Sequence, residues 1–286
     1  MMNLFHKNFF AMNTRFEVVS YGKDAEIFSE IFDSIEKSIK QLEMIISCYN
    51  SESQTFRINH SQTIEFCQTS EDLFEIISVC EKYKHSTFGC FDYCLDNNFV
   101  YDSRNSTIGQ NQIKVGLDKS NYLFRFTEKG LALDFGAIGK GIALKKVSEI
   151  LEEYHISNCF ISFGESSILT RGKHPHGPFW PFSIIDMNDK TKVHGNFQLN
   201  NHCVSTSATF QPDGKNHIID PRKNKLVDQK NMISVKSGCP IEAEVLSTAL
   251  LVAGNEEQKD VLKNFKNYEI IEINNDSKPT VRIING

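Results

Sequence analysis

The sequence has little of what marks a membrane-spanning, disulfide-bonded or zinc-binding protein. No apolar run approaches the roughly 20 residues that a membrane-spanning helix needs. Eight cysteines are present, but no two of them form a Cys-x-x-Cys pair and none of their spacings is typical of a zinc site. A disulfide framework is not expected in a chain of 286 residues. The cysteines, most of which stand among apolar residues, are therefore predicted to be buried free thiols.

An excess of positive charge is also missing. The 31 lysines and arginines are outnumbered by 36 aspartates and glutamates, which gives a formal net charge of −5. This balance argues against nonspecific nucleic-acid binding, and an anionic ligand would need local help from a metal ion or from helix N-termini. Residues 1–16 contain neither a sustained apolar stretch nor a lipid-acceptor cysteine. The sequence therefore predicts a cytoplasmic protein.

The apolar pattern predicts an α+β fold. The chain is 40% hydrophobic and has no internal repeat or low-complexity linker, so we expect a single domain over residues 1–286, built from two close lobes. Strands and helices alternate irregularly, which favours mixed, largely antiparallel sheets over a doubly wound parallel sheet. Helices are predicted at 24–47, about 69–85, the segment ending near 154, 242–252 and 256–265, with a polar loop at 50–61. Strands are predicted at 9–21, 159–163, 179–186, 192–199, 217–220, 232–236, 269–273 and 280–284.

Residues 131–147, LALDFGAIGKGIALKKV, hold the most informative pattern. An apolar run ends at Asp134, three glycines follow within six residues, and a helical pattern then begins. A strand that turns through glycines into a helix gathers unpaired backbone N–H groups at the positive end of the helix dipole, and this geometry binds phosphate. The spacing matches neither a Walker A loop nor the dinucleotide pattern G-x-G-x-x-G. From these residues alone, a phosphate site and a simple glycine turn both remain open.

A second polar pattern begins the predicted helix near the C-terminus. Glu244, Ser247 and Thr248 are three and four residues apart, so they share one face of that helix. A carboxylate beside two hydroxyls provides the hard oxygen ligands that suit Mg²⁺. An ordinary solvated first helical turn is the alternative interpretation.

Seven short segments, spread from about residue 10 to residue 254, match one set of family motifs in the family's order. They are Met12-Asn13-Thr14 for Met-Gly-Thr; Tyr49, Ser51-Glu52 and Asn59 for an aromatic, a Ser-Glu and an Asn; GCFD at 89–92 for Gly-x-Phe-Asp; DFGAIGKGI at 134–142 for Asp-Leu-Gly-Gly-Ile-Ala-Lys-Gly-Tyr; TSA at 206–208 for Thr-Ser-Gly; HIIDP at 217–221 for His-Ile-x-Asp-Pro; and AEVLSTA at 243–249 for Ala-Asp-Ala-Leu-Ser-Thr-Ala. In this ordered set the chain resembles the ApbE family, the FAD:protein FMN transferases.

The resemblance implies a reaction, its cofactors and its site residues. Family members bind FAD and Mg²⁺, transfer FMN to a Ser or Thr hydroxyl of a flavin-acceptor protein and release AMP; the acceptor segment is similar to Asp-x-x-Ser/Thr-Gly/Ser-Ala-Thr. A homodimer is compatible with the resemblance. His217 is the candidate catalytic base, because an unperturbed imidazole titrates near pH ~6.5. The implied FAD-binding residues are Met12, Tyr49, Cys90, Phe91, Asp92, Asp134, Lys140 and Ile219. The implied metal ligands are the Ala137 carbonyl region, Glu244, Ser247 and Thr248.

The chain departs from the family pattern at four places, and each departure bears on activity. Glu244 replaces the metal-binding Asp, and its extra methylene moves the carboxylate by roughly a bond length, which matters because Mg²⁺ needs near-ideal geometry. Gly139 replaces Ala, Lys145 stands where many members carry Asp and reverses a charge near the nucleotide, and residues 164–166 read GES in place of Gly-Gly-Asp. Two alternatives to the transferase therefore stay open, an FAD pyrophosphatase that yields FMN and AMP, and a non-catalytic FAD-binding protein.

Overall fold

A computed structural model describes residues 4–22, 24–62, 64–101, 113–186, 189–209, 216–229, 231–274 and 280–286. The strands in chain order are β1 (Leu4–Ala11), β2 (Thr14–Tyr21), β3 (Cys67–Gln68), β4 (Cys94–Asp96), β5 (Val115–Asp118), β6 (Leu123–Phe126), β7 (Leu131–Leu133), β8 (Cys159–Phe163), β9 (Ser167–Arg171), β10 (Trp180–Ile185), β11 (Val193–Leu199), β12 (Cys203–Ala208), β13 (Ile219–Asp220), β14 (Lys225–Leu226), β15 (Asn231–Ser237), β16 (Glu269–Asn274) and β17 (Thr280–Asn285). The helices are α1 (Ala25–Ile46), α2 (Gln54–Ser61), α3 (Glu71–Ser86), α4 (Asn97–Tyr101), α5 (Gly139–Glu153), α6 (Pro240–Val252) and α7 (Asn255–Leu262).

The main sheet has eight strands in the order β1-β2-β8-β9-β12-β15-β16-β17, and each neighbouring pair is antiparallel. Its two faces are covered differently. One face packs with α1, α5 and α6 in the larger hydrophobic core. The other face carries the antiparallel hairpin β10–β11, which buries Trp180 and Phe197 against it. The α+β class and the predominance of antiparallel sheets are thus confirmed.

The helix predictions that rest on local periodicity are confirmed. The buried residues of α1 recur at three- and four-residue intervals from Phe28 to Ile46, as an amphipathic helix requires. Helix α3 begins after Ser70, whose hydroxyl accepts a hydrogen bond from the Leu73 N–H at 3.2 Å. None of the helices in the described ranges is long and apolar enough to cross a membrane.

Two predictions from the N-terminal half are wrong. The single strand at 9–21 is a hairpin, because Met12 and Asn13 adopt left-handed φ values of 49° and 58° and reverse the chain. The polar loop at 50–61 contains helix α2, which the Ser53 hydroxyl caps by accepting from the Phe56 N–H at 3.0 Å. The polar composition of α2 hides its helical character. Local patterns also miss strands β9 and β12, although both are central in the main sheet.

Candidate functional site

A cavity of about 630 Å³ opens where α5 and α6 begin, within the 300–1,000 Å³ range typical of ligand sites. Residues from distant parts of the chain line it: Cys90, Phe91, Asp92, Leu95, Asp134, Gly136, Ala137, Lys140, Gly164, Glu165, Ser166, Phe182, Ser183, Ile184, Ile185, Thr206, Ser207, Ala208, His217, Ile218, Ile219, Pro221, Met232, Glu244 and Thr248.

The first turns of α5 and α6 lie against each other at this cavity. A Cβ atom on Gly141 would stand 2.8 Å from the Pro240 carbonyl oxygen and 2.9 Å from Glu244 Cγ, closer than real Cβ contacts. Only glycine permits this approach. The glycine-rich segment and the Glu244 segment, which are about 100 residues apart in sequence, therefore face one cavity.

The turn before α5 is held by hydrogen bonds on both sides of Asp134. The Asp134 Oδ1 accepts from the Gly136 N–H at 2.8 Å, and Asn59 exchanges two bonds with the Leu133 backbone, at 2.9 and 2.8 Å. Burial raises the pKa of the Asp134 carboxyl, and the Gly136 N–H and His217 partly oppose that shift. Asn59 thus acts by fixing the strand that carries Asp134.

Lys140 places a positive charge at the cavity, and its hydrogen-bond partner is a neutral serine. Its Nζ donates to Ser166 Oγ at 2.7 Å. Ser166 follows the turn at Gly164, whose φ is +66° and where a Cβ would lie 2.6 Å from Thr14 Oγ1. The N-terminal hairpin therefore supports the turn that holds Lys140.

The polar face of α6 is mostly buried, with Glu244 and Ser247 buried and Thr248 half-buried. Glu244 is 4% exposed, lines the cavity and accepts a hydrogen bond from Ser167 Oγ. Thr248 also lines the cavity, and its hydroxyl lies 3.2 Å from Ser207 Oγ. The interpretation of this segment as a solvated first turn is wrong, because sheet and helix cover it.

Ser247 lies behind the cavity wall. It is 0% exposed, and its hydroxyl contacts Ser205 Oγ at 3.0 Å, Ser207 Oγ at 2.8 Å and the Glu244 carbonyl at 3.0 Å. Its contacts tie α6 to β12. Ligation by Ser247 stays a prediction that these contacts do not favour.

His217 lies at the cavity with its pKa shifted downward. Desolvation lowers the pKa below 6.5, Lys140 lowers it further, and Asp134 acts in the opposite direction. The imidazole is therefore neutral near pH 7, the state in which it accepts a proton.

The motif at 89–92 forms one wall, but its carboxylate is bound to lysines. Asp92 Oδ2 lies 3.2 Å from Lys84 Nζ and 2.9 Å from Lys114 Nζ, and both lysines are largely buried. Cys90, Phe91 and Ile219 also line the cavity. The Asp92 carboxylate thus stabilises the wall through ion pairs.

Two predicted FAD-binding residues do not line the cavity. Met12 lies in the β1–β2 turn, where its N–H donates to Glu43 Oε1 at 2.9 Å. Tyr49 is 73% exposed, with its hydroxyl 3.4 Å from the Val100 carbonyl. Lys145 does not line the cavity either: it pairs with Glu149 at 3.2 Å and lines a separate groove beside Pro240.

Several lining residues are not among the predicted site residues. The largest group is Phe182, Ser183, Ile184 and Ile185 on β10. The hairpin itself is predicted, but its approach to the cavity depends on packing across the main sheet. The motif comparison could have identified three of the lining residues, because Glu165, Ser166 and Ser207 lie within the segments at 164–166 and 206–208 that it aligns.

The donor chemistry at the start of α6 fits a hard divalent cation. No group of three or more His, Cys, Asp or Glu side chains that could hold a metal occurs within the described ranges. The cavity instead presents the Glu244 carboxylate, the Thr248 hydroxyl and the Ala137 region. Oxygen donors of this kind suit Mg²⁺, which is usually held by one or two carboxylates and completed by phosphate and water.

Comparisons with known proteins identify the family of this chain. Residues 12–271 match the ApbE family. The chain is 24% identical over 279 residues to the FAD:protein FMN transferase of Salmonella typhimurium, covering 88% of this chain and 79% of the relative. It is 26% identical over 269 residues to that of Escherichia coli K12, covering 85% and 76%.

Solved structures show the same fold. The flavin transferase ApbE from Vibrio cholerae superposes with a TM-score of 0.83 at 17% identity, covering 99% of this chain and 97% of that one. The ApbE protein of Thermotoga maritima superposes with a TM-score of 0.79 at 20% identity, covering 97% and 96%. Because the family model matches residues 12–271, the chain belongs to the ApbE family.

Proposed function

We propose that this protein is an Mg²⁺-dependent FAD:protein FMN transferase that uses a Ser or Thr hydroxyl of another protein as acceptor. The observation that carries the proposal is the convergence of Lys140, His217 and Glu244 on one cavity between two packed helix starts. The names of the Salmonella and Escherichia coli relatives support the same activity.

The diphosphate of FAD is assigned to the start of α5. Lys140 Nζ provides a positive charge there, and its hydrogen-bond partner, Ser166, is neutral. The first N–H groups of α5 add partial positive charge from the helix dipole. This combination suits an anionic ligand in a protein whose net charge is −5.

Glu244, Thr248 and the Ala137 carbonyl would hold Mg²⁺ beside that diphosphate. When bound, the ion supplies charge neutralisation for the diphosphate and for the departing AMP. The buried position of Glu244 keeps its carboxylate at the helix start, where the phosphates are assigned.

His217 is assigned as the general base. The acceptor hydroxyl oxygen forms a bond to the phosphorus of the FMN half, the bond from that phosphorus to the bridging oxygen of AMP breaks, and the hydroxyl proton passes to the imidazole. The lowered pKa of His217 keeps it ready to accept this proton near pH 7.

The test is incubation of the purified protein with FAD, MgCl₂ and an acceptor domain carrying an Asp-x-x-Ser/Thr-Gly/Ser-Ala-Thr-like segment. Intact-mass spectrometry should show one covalent FMN on the acceptor, and AMP should appear in equal amount. An acceptor whose target Ser or Thr is changed to Ala is the control. Release of AMP without an adduct would indicate a pyrophosphatase, and FAD binding without AMP release would indicate a flavin-binding protein; either result would overturn the proposal.

A further inference from the structure

We infer that Ser167 is a positioning residue that allows a glutamate to serve at the metal-binding position of this chain. The inference rests on the proposed function, because it concerns the same Mg²⁺ site. Ser167 does not line the cavity and acts through its contact with Glu244.

The carboxylate of Glu244 is held from two sides. On one side, the missing side chain of Gly141 leaves space that Glu244 Cγ fills, since a Cβ there would lie 2.9 Å from it. On the other side, Ser167 Oγ donates to Glu244 Oε1. Ser167 is 0% exposed and lies at the first position of β9, so its hydroxyl has a fixed place.

These two contacts restrict the Glu244 side chain, which is one methylene longer than the aspartate of the family pattern. A glutamate has one more rotatable bond than an aspartate, and its carboxylate would otherwise occupy several rotamers. The hydrogen bond from Ser167 selects one rotamer of the Glu244 side chain. A carboxylate has about four lone-pair sites, so this bond leaves acceptor capacity for a cation.

The same turn also positions the Lys140 ammonium group. Ser166 binds Lys140 Nζ at 2.7 Å, and the next residue, Ser167, binds Glu244. Two adjacent hydroxyls thus fix the two charged groups that face the diphosphate. Residues 164–166 are one of the places where the chain departs from the family pattern, and Ser167 follows directly.

A double-mutant cycle on metal binding tests the inference. Mn²⁺, which has a resolved EPR spectrum, is titrated into the parent, Ser167→Ala, Glu244→Asp and the double variant, each with FAD present and without acceptor. Loss of a residue that orients a metal ligand typically weakens metal binding about 10- to 100-fold, and we expect this for Ser167→Ala. In the Glu244→Asp background the shorter side chain no longer reaches Ser167, so adding Ser167→Ala should change the Mn²⁺ affinity by less than a factor of about three.

Two further variants separate positioning from a general packing effect. Ser167→Thr keeps the hydroxyl and should retain Mn²⁺ affinity within a few-fold of the parent. Thr170→Val is the matched control, since Thr170 is a buried hydroxyl on the same strand that donates to the His202 carbonyl at 2.8 Å, away from the cavity. It should leave the Mn²⁺ affinity unchanged, and thermal denaturation of every variant checks that it is folded.

Several results would overturn the inference. They are parental Mn²⁺ affinity in Ser167→Ala, an equal loss from Ser167→Ala in the parent and in the Glu244→Asp variant, or no Mn²⁺ binding by the parent. If Ser167→Ala does not fold, parental affinity in a Ser167→Cys variant, which lacks a strong donor, would overturn it in the same way. Because no acceptor is present, failure of FMN transfer alone would refute the proposed function and leave this inference standing.

Discussion

At the scale of single residues, the groups that contact a charged side chain determine whether that side chain can bind a charged ligand. Lys140 contacts a serine, whereas Asp92 is bound by two lysines, so the two charged groups differ in what they can offer a ligand. The family resemblance assigns both residues to FAD binding. Their partners separate them: Lys140 has a neutral hydrogen-bond partner at the cavity, whereas the Asp92 carboxylate is ion-paired with two lysines.

Lys140→Gln should weaken FAD binding about 10- to 100-fold, because a hydrogen bond to a charged group contributes about 1.5–3 kcal/mol. Quenching of flavin fluorescence in a titration with protein measures this change. Lys145→Gln is the control, since Lys145 lies on the same helix but outside the cavity and pairs with Glu149. Equal losses in the two variants would contradict the assignment of Lys140.

The pH dependence of FMN transfer should report His217. A base is active when unprotonated, so the rate should fall as pH drops through the pKa of the imidazole. Because desolvation and Lys140 lower that pKa from its ordinary value of about 6.5, the midpoint of the decline at saturating substrates should lie below pH 6.5. Lys140→Gln should move this decline to higher pH, since the cation that lowers the pKa is lost.

The check is the rate profile of the parent, Lys140→Gln and His217→Asn, measured with a mass-based assay of adduct formation. His217→Asn should slow transfer about 10²- to 10⁴-fold, the usual contribution of a general base. A parental decline centred above pH 7, or a His217→Asn variant with parental rates, would count against His217 as the base.

At the scale of elements, the site is made by the close approach of α5 and α6 and by a turn with unusual backbone. Gly141 permits the helix contact, and residues 164 and 165 both have left-handed φ, at +66° and +60°. Glutamate is uncommon in that conformation, and glycine adopts it at little cost.

Gly141→Ala should destabilise the protein by about 1–3 kcal/mol, as overpacking of a tight contact does, and should weaken Mn²⁺ binding as well. The new Cβ would meet backbone atoms of α6, which cannot move without displacing the helix start. Gly139→Ala is the matched control: its Cβ would meet only the end of the flexible Ile46 side chain, at 3.0 Å. Urea denaturation compares the two, and equal stability losses would contradict this account.

Glu165→Gly should stabilise the fold by about 1 kcal/mol, because an exposed non-glycine residue with left-handed φ carries a conformational cost of about that size. Asn267→Gly, at an exposed position with φ +57°, is the control and should gain less, since asparagine tolerates this region. The midpoint of urea denaturation gives both values. A loss of stability in Glu165→Gly would mean that the side chain makes a contact that outweighs the backbone cost.

At the scale of the whole molecule, the sequence is informative where structure depends on neighbouring residues. Helix α1 could be predicted because its apolar residues recur every three or four positions, and Ser70 is a typical N-cap. Helix α2 could not, because it is short and polar and is fixed by Asn59 bonding to β7, 74 residues away.

The site was predictable only in part for the same reason. The ordered motifs identified the glycine turn and the Glu244 segment, and both line the cavity. They could not reveal that Lys114 neutralises Asp92 from 22 residues away, that Ser167 holds Glu244 across 77 residues, or that β10 closes one wall. Such contacts depend on strand register and layer packing, which local patterns do not encode.

The most direct test of the central claim is a crystal structure of this protein grown with FAD and Mg²⁺. The account predicts the FAD diphosphate between Lys140 Nζ and the start of α6, with density for one ion contacting a diphosphate oxygen, the Glu244 carboxylate and the Thr248 hydroxyl. Diphosphate density elsewhere in the molecule, or an ion bound away from Glu244, would contradict it.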